Sequence, residues 1–251
     1  KVVKLASNEN PLGPSPRAAD ILSRANNLHL YPDGDSKKLK SLIASHEALT
    51  QKNIIVGNGS NEVLELAARA FLNKDTSAVM SKHAFAVYKI VTQSCGSKII
   101  EVPAKNWKHA LDDFPEFIDE TTRICFVANP NNPTGTYNSH EEFESMMNKV
   151  PSSVLVILDL AYFEYVDAED YVNANELMQA ILAENETTWI GRGECDIKAF
   201  YWLKYSNRLL VVSTDGDFVP IAMLQLQKMS HLHADINKTV ILHRICAQVN
   251  S

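Results

Sequence analysis

Short apolar runs alternate with stretches of helical spacing through roughly the first 170 residues, and this alternation limits the fold more than any other feature. The runs are 53–57 (NIIVG), Ser77–Met80, Lys98–Val102, Arg123–Val127 (RICFV) and Val154–Leu158 (VLVIL). Between them, residues 14–26, 36–49, 84–95 and 139–149 carry helical patterns. From Asn61, EVLELAARAFL places Val63, Leu66, Ala67 and Ala70 on one face, an amphipathic helix. Neighbouring parallel strands need a crossover of a dozen or more residues, usually a helix, so the pattern predicts an α/β fold with a mostly parallel sheet. After residue 172 the pattern continues with different motifs. Helix 173–184, WIGRGECD, helix 195–205, strand 209–213 (LLVVS) and helix 219–229 form a second, partial α/β unit. Two segments are expected, 1–172 and 173–251, with no repeat or flexible linker at the change.

Composition excludes several classes. With 45% hydrophobic and 22% charged residues among 251, the chain has the apolar surface to offset the entropy of ordering. Its net charge is −6 with no Lys/Arg block, which argues against a general grip on nucleic acid and leaves only a local site open. No apolar run approaches the ~20 residues of a membrane helix. Lys1 opens no charged-then-apolar leader, and since it is not Met the true N-terminus is expected to lie upstream. Cys95, Cys125, Cys195 and Cys246 form no CxxC pair, so structural zinc and disulfides are not expected and a reducing, cytoplasmic setting is. None of the eight histidines has metal-ligand spacing beside a suitable carboxylate, and Trp107, Trp189 and Trp202 are taken as packing residues.

Open α/β sheets bind ligands at the carboxyl ends of their strands. GNGSNE (57–62) joins a strand to a helix N-terminus, where free N–H groups and the helix dipole favour a phosphate. ANPNNPTG (128–135) is a stiff loop of prolines and side-chain amides after a strand, and Asp159 ends VLVIL, followed by Ala161 and Tyr162. Each alone has an ordinary reading as a turn or a cap.

Together with SNENPLGPSP (7–16), YPDG (31–34) and HAFAVY (83–88), these motifs occur in the order and rough spacing of fold-type-I aminotransferases. The set most resembles the histidinol-phosphate aminotransferases, enzymes of histidine biosynthesis that use pyridoxal 5′-phosphate, over about residues 1–170. The resemblance implies a pyridoxal-phosphate-binding large domain and a homodimer acting on a small amino-acid or phosphate substrate. It implies that the backbone of Gly59, Ser60 and Asn61 holds the cofactor phosphate and that Phe85 stacks on the ring. Asn132 and Tyr162 would hydrogen-bond the ring oxygen, and Asp159 would pair with the ring nitrogen and keep it protonated. Tyr31 would reach the phosphate in the neighbouring subunit, and Asn8 would lie over the substrate.

Two departures stand out. Leu160 replaces the glutamate usual after the aspartate. The family's Schiff-base lysine belongs about 25–30 residues beyond the aspartate, yet the interval reads LAENETTWIGRG, and the next lysines are Lys198 and Lys204. That lysine forms the link to the cofactor and moves a proton, so impaired or absent transamination is expected, with no catalytic lysine assigned. The resemblance leaves the family's small C-terminal domain without a counterpart.

Residues 193–217 hold a second constellation, Glu194 with Asp196 and Asp215 with Asp217, the latter pair at the end of strand LLVVS. Clustered carboxylates are hard ligands suited to Mg²⁺ or Mn²⁺. Residues 176–225 resemble part of a flap-endonuclease (XPG, PIN-like) unit, which implies those four as metal ligands. Nucleic acid enters as a partner under this alternative alone. A third reading is a non-catalytic chimera of two half-domains.

Overall fold

In a computed structural model of the chain, the structure describes residues 8–10, 12–47, 50–51, 54–151, 153–172 and 209–212. Its centre is a five-stranded sheet in the order β2-β1-β3-β4-β5, with every neighbouring pair parallel. The strands are β1 (Ser77–Ser81), β2 (Lys98–Val102), β3 (Thr122–Ala128), β4 (Leu155–Asp159) and β5 (Leu209–Val212). The helices are α1 (Pro16–Ser23), α2 (Lys37–Glu47), α3 (Gly59–Phe71), α4 (Ala86–Ser94) and α5 (His140–Met147). The expected α/β class with a parallel sheet is what the chain adopts.

The strands lie where the apolar runs lie because both faces of a parallel sheet are covered. β1 and β4 are buried at every position. One contiguous core joins them to Val63, Leu64 and Ala67 of α3, to Tyr88 and Val91 of α4 and to Phe143, Met146 and Met147 of α5. Local chemistry fixes the helix starts. Ser15 caps α1 through its hydroxyl, with Pro16 in the first turn. Ser139 and Glu142 form a capping box at α5, exchanging bonds with each other's backbone N–H.

Three features differ from the sequence reading. Residues 54–56 form no strand; Ile54 packs with Ile43 and Ala44 of α2, and Ile55 joins the main core. An apolar run can thus be buried by packing, without joining a ladder. Leu111–Phe117 forms a 3-10 helix that periodicity did not register, carrying Pro115 within it. Leu209–Val212 pairs in parallel with β4, register Asp159 to Val212, and so continues the same sheet; the sequence reading had put it in a separate nuclease-like unit.

The register sets the site. Phe126 lies beside Ile157 and Ala128 beside Asp159, so these four side chains share one face, and Asp159 sits at the carboxyl end of the sheet.

Candidate functional site

Asp159 is the most constrained of the predicted residues. It is 3% exposed and its carboxylate is held from two sides. The Ala161 N–H donates to Oδ1 at 3.1 Å and the Tyr88 hydroxyl donates to Oδ2 at 2.8 Å. Tyr88 is fully buried in α4 and stacks on Phe126, centroids 4.7 Å apart and planes 11° apart. Burial first, and then the adjacent Asp159 charge, hold the Tyr88 phenol well above its ordinary range, so it stays a donor at any physiological pH. Phe85 meets Tyr88 edge-on at 5.7 Å. Phe85 of HAFAVY is the expected ring-stacking residue and caps α4, whereas Tyr88, three residues on within the helix, carries no role in the sequence reading.

The loop after β3 is braced internally. The Asn129 carboxamide accepts from the Asn138 N–H at 2.8 Å and donates to the Asn138 carbonyl at 3.0 Å, which closes the loop at its base. The Tyr171 hydroxyl donates to the Asn129 carbonyl. Asn131 is 3% exposed and its amide donates to the His83 carbonyl (3.0 Å) and to Thr134 Oγ1 (2.8 Å). Asn132, the predicted ligand, is half-buried beside it. Behind the loop, His109 Nε2 donates to the Ala128 carbonyl at 2.9 Å, and burial lowers this imidazole to about 4, so it is neutral at pH 7.

A cleft of about 450 Å³ opens at the carboxyl end of the sheet. It gathers Asn132 from this loop, Tyr162 from the segment after β4, and Asn8 and Glu9 from the N-terminal segment. Tyr162 has φ +71°, a left-handed conformation that a bulky residue seldom takes, and its hydroxyl accepts from Asn8 Nδ2 at 3.1 Å. Three predicted residues from distant parts of the chain therefore face one space.

The start of α3 carries the three residues expected at the cofactor phosphate. Gly59 enters the helix at φ +82°, Ser60 is buried and Asn61 is exposed in the first turn. Gly57 has no room for a side chain, since a Cβ there would come within 2.9 Å of Val63 Cγ2 and 3.3 Å of Glu62 Oε2. The Asn58 N–H donates to the Glu62 carboxylate, while the first N–H groups of any helix lack intrahelical acceptors. Tyr31 stands apart, fully exposed and outside the cleft.

Glu194, Asp196, Asp215 and Asp217 lie outside the described residues, as do Lys198, Lys204 and the lysine-free interval 182–193. Among the described residues no group of three or more His, Cys, Asp or Glu is placed to hold a metal. Nor is any described helix long and apolar enough to cross a membrane.

Comparison with known proteins gives a consistent picture. Residues 1–190 match the family model for aminotransferase class I and II. A curated relative, histidinol-phosphate aminotransferase 2 of Pseudomonas fluorescens, is 49% identical over 180 residues, covering 71% of this chain and 49% of the relative. The histidinol-phosphate aminotransferase of Halalkalibacterium halodurans is 49% identical over 173 residues, covering 68% of this chain and 46% of the relative. The chain thus spans about half the length of the curated relatives it matches. Among solved structures, histidinol-phosphate aminotransferase from Sinorhizobium meliloti, in complex with pyridoxal 5′-phosphate, superposes with a TM-score of 0.65 at 22% identity. That match covers 74% of this chain and 49% of the other, and establishes the shared fold.

Proposed function

This chain belongs to the aminotransferase class I and II family, and on that premise we propose that the carboxyl end of its sheet holds a pyridoxal 5′-phosphate site of the histidinol-phosphate:2-oxoglutarate aminotransferase kind. The observation that carries the reading is the buried carboxylate of Asp159, fixed at a strand end by the Tyr88 hydroxyl and the Ala161 N–H. Both of those partners donate to it, so the carboxylate is held as an acceptor, which is the chemistry a protonated ring nitrogen needs. The left-handed entry at Gly59, at the start of α3, fits a backbone that approaches a phosphate closely. The donor set therefore fits the group.

When bound, the cofactor would supply an electron sink for bonds at the substrate α-carbon. The chain's own residues bind and orient. Asp159 would hold the ring nitrogen's proton, with Tyr88 holding Asp159. Phe85 would cover a ring face, Asn132 and Tyr162 would bond the ring oxygen, and the backbone of Gly59, Ser60 and Asn61 would take the phosphate. Asn8 would close over the substrate, and Tyr31 would reach the phosphate of a second copy in a homodimer. The absence of any lysine from Leu160 to Ile197 leaves the proton-moving amine unassigned, and we take ordinary transamination to be impaired on that account.

The test is to titrate the purified chain with pyridoxal 5′-phosphate by absorbance and calorimetry, reduce with borohydride and map the peptides. Saturable binding below millimolar, with no single lysine modified, is expected. Absence of affinity below millimolar overturns the cofactor reading. A single modified lysine, such as Lys198 or Lys204, overturns the impairment.

A further inference from the structure

Asn131 lies between two loops that the proposed site needs at a fixed separation. Its amide donates to the carbonyl of His83, two residues before Phe85, and to Thr134 Oγ1, within the loop that carries Asn132. The hydroxyls then run in one direction. Thr136 Oγ1 donates to the Trp107 carbonyl at 3.2 Å, so the 2.8 Å contact between Thr134 and Thr136 has Thr134 as its donor.

Trp107 completes the circuit, because its ring lies against the His83 ring with centroids 4.8 Å apart. It stands in a two-residue turn closed by mutual Lys105–Lys108 backbone bonds, with Asn106 and Trp107 both at positive φ (+52° and +65°). A tryptophan held in that conformation and 65% exposed needs an anchor, and Thr136 supplies one. The chain Asn131–Thr134–Thr136–Trp107–His83 thus returns to Asn131 and joins the loops after β1, β2 and β3. The cost falls on Asn131 Oδ1, which is buried with no partner among the described residues. Turning the amide over would set that oxygen against the His83 carbonyl, so the orientation is fixed.

We propose that Asn131 is a positioning residue that sets the gap between the loop bearing Phe85 and the loop bearing Asn132. Its bearing on cofactor affinity rests on the cofactor reading above; the clamp itself does not. In the full chain, Asn131→Ala and Thr134→Val break the circuit, and Thr134→Ser retains it. Hydrogen exchange without added ligand reads the clamp directly. Asn131→Ala is expected to speed exchange in segments 83–85 and 131–136 by about tenfold, with β3 and β4 unchanged. Thr134→Val should do the same more weakly and Thr134→Ser not at all.

The same variants then go to binding. Asn131→Ala should weaken pyridoxal 5′-phosphate by about tenfold while inorganic phosphate stays within about twofold. Exchange unchanged in both segments for Asn131→Ala and Thr134→Val overturns the proposal. So does an equal loss of both ligands, which marks general damage. If the parent chain binds no pyridoxal 5′-phosphate, the cofactor reading fails, and localised faster exchange still upholds the clamp.

Discussion

The two ends of the proposed site are built differently. At the ring-nitrogen end every part comes from the packed sheet and α4: Asp159 closes β4, Tyr88 stacks on Phe126 of β3, and all three side chains are buried. The N-terminal segment, residues 8–47, reaches the site through Asn8 and Glu9 at the cleft. Within it α1 buries Ala18 alone, and Leu12, Leu22, Leu28, Leu30 and Tyr31 are exposed. The first end gets its geometry from the cost of leaving buried polar groups unpaired; the second has no such constraint within the described residues. A residue's place in the packing, more than its family role, should therefore set how much a substitution costs.

Asp159 and Tyr88 give the largest expected effect and the most direct way to break that contrast. Asp159→Asn keeps an oxygen for the Tyr88 hydroxyl, sets an NH2 against the Ala161 N–H and removes the charge, so unfolding free energy should fall by about 1–3 kcal/mol while pyridoxal 5′-phosphate affinity falls by about a hundredfold, about 3 kcal/mol. Tyr88→Phe leaves a buried carboxylate oxygen short of a donor and should cost about 1–3 kcal/mol of unfolding free energy, with a smaller loss of affinity. Denaturant melts and cofactor titrations on the two variants separate the effects. Unchanged affinity in Asp159→Asn would leave the buried end without the role proposed for it.

Legibility follows the same division. Strands β1, β3 and β4 were readable because a parallel strand buried on both faces is almost continuously apolar, as VLVIL is, while β2 (KIIEV) is a partly exposed edge strand marked by a shorter apolar run. The Asp159 position was readable as a strand end. Tyr88 was not, because helical spacing marks it as a core residue whether or not its hydroxyl has a partner 71 residues away. Asn131 and Asn132 are adjacent and chemically identical, and only the loop's fold decides that Asn131 turns inward. NIIVG had the pattern of a strand, yet Ile54 and Ile55 are buried by packing and residues 54–56 form no strand, while the pairing of Leu209–Val212 with β4 is a long-range fact that no local pattern encodes.

Next in size is a pH effect on the buried end. His109 titrates near 6.5 when unfolded and is pushed down to about 4 in the fold, first by burial, with its bond to the Ala128 carbonyl working in the opposite sense. Between those values the unfolded chain binds the extra proton. Stability should be at its plateau above pH 6.5 and decline as pH falls toward 4, by about 2 kcal/mol between pH 7.5 and 5. Asp119, held down to about 2 chiefly by the Thr121 hydroxyl, acts in the opposite state: its stabilising contribution disappears as pH falls from 3.8 toward 2, below this window. Chemical denaturation at pH 7.5 and 5 tests this, and His109→Gln should flatten the difference. A parent chain equally stable at both pH values would show that the support behind Ala128 is less buried than the fold implies.

The smallest effects belong to the N-terminal segment. Tyr31 is fully exposed, so Tyr31→Phe should move unfolding free energy by less than about 0.5 kcal/mol. Asn8→Ala loses one exposed bond to Tyr162 and should cost no more than about 1 kcal/mol. Tyr31→Phe has a second use, because under the homodimer proposal its hydroxyl serves the other copy. Cofactor affinity measured at low chain concentration should then match the parent, and at high concentration, where copies associate, it should fall behind by about tenfold. A deficit of equal size at both concentrations would instead place Tyr31 at the site of its own chain and bring the exposed segment under the same packing rule as the buried end. A concentration-dependent deficit would mean that the two ends differ because one of them is completed by a second molecule.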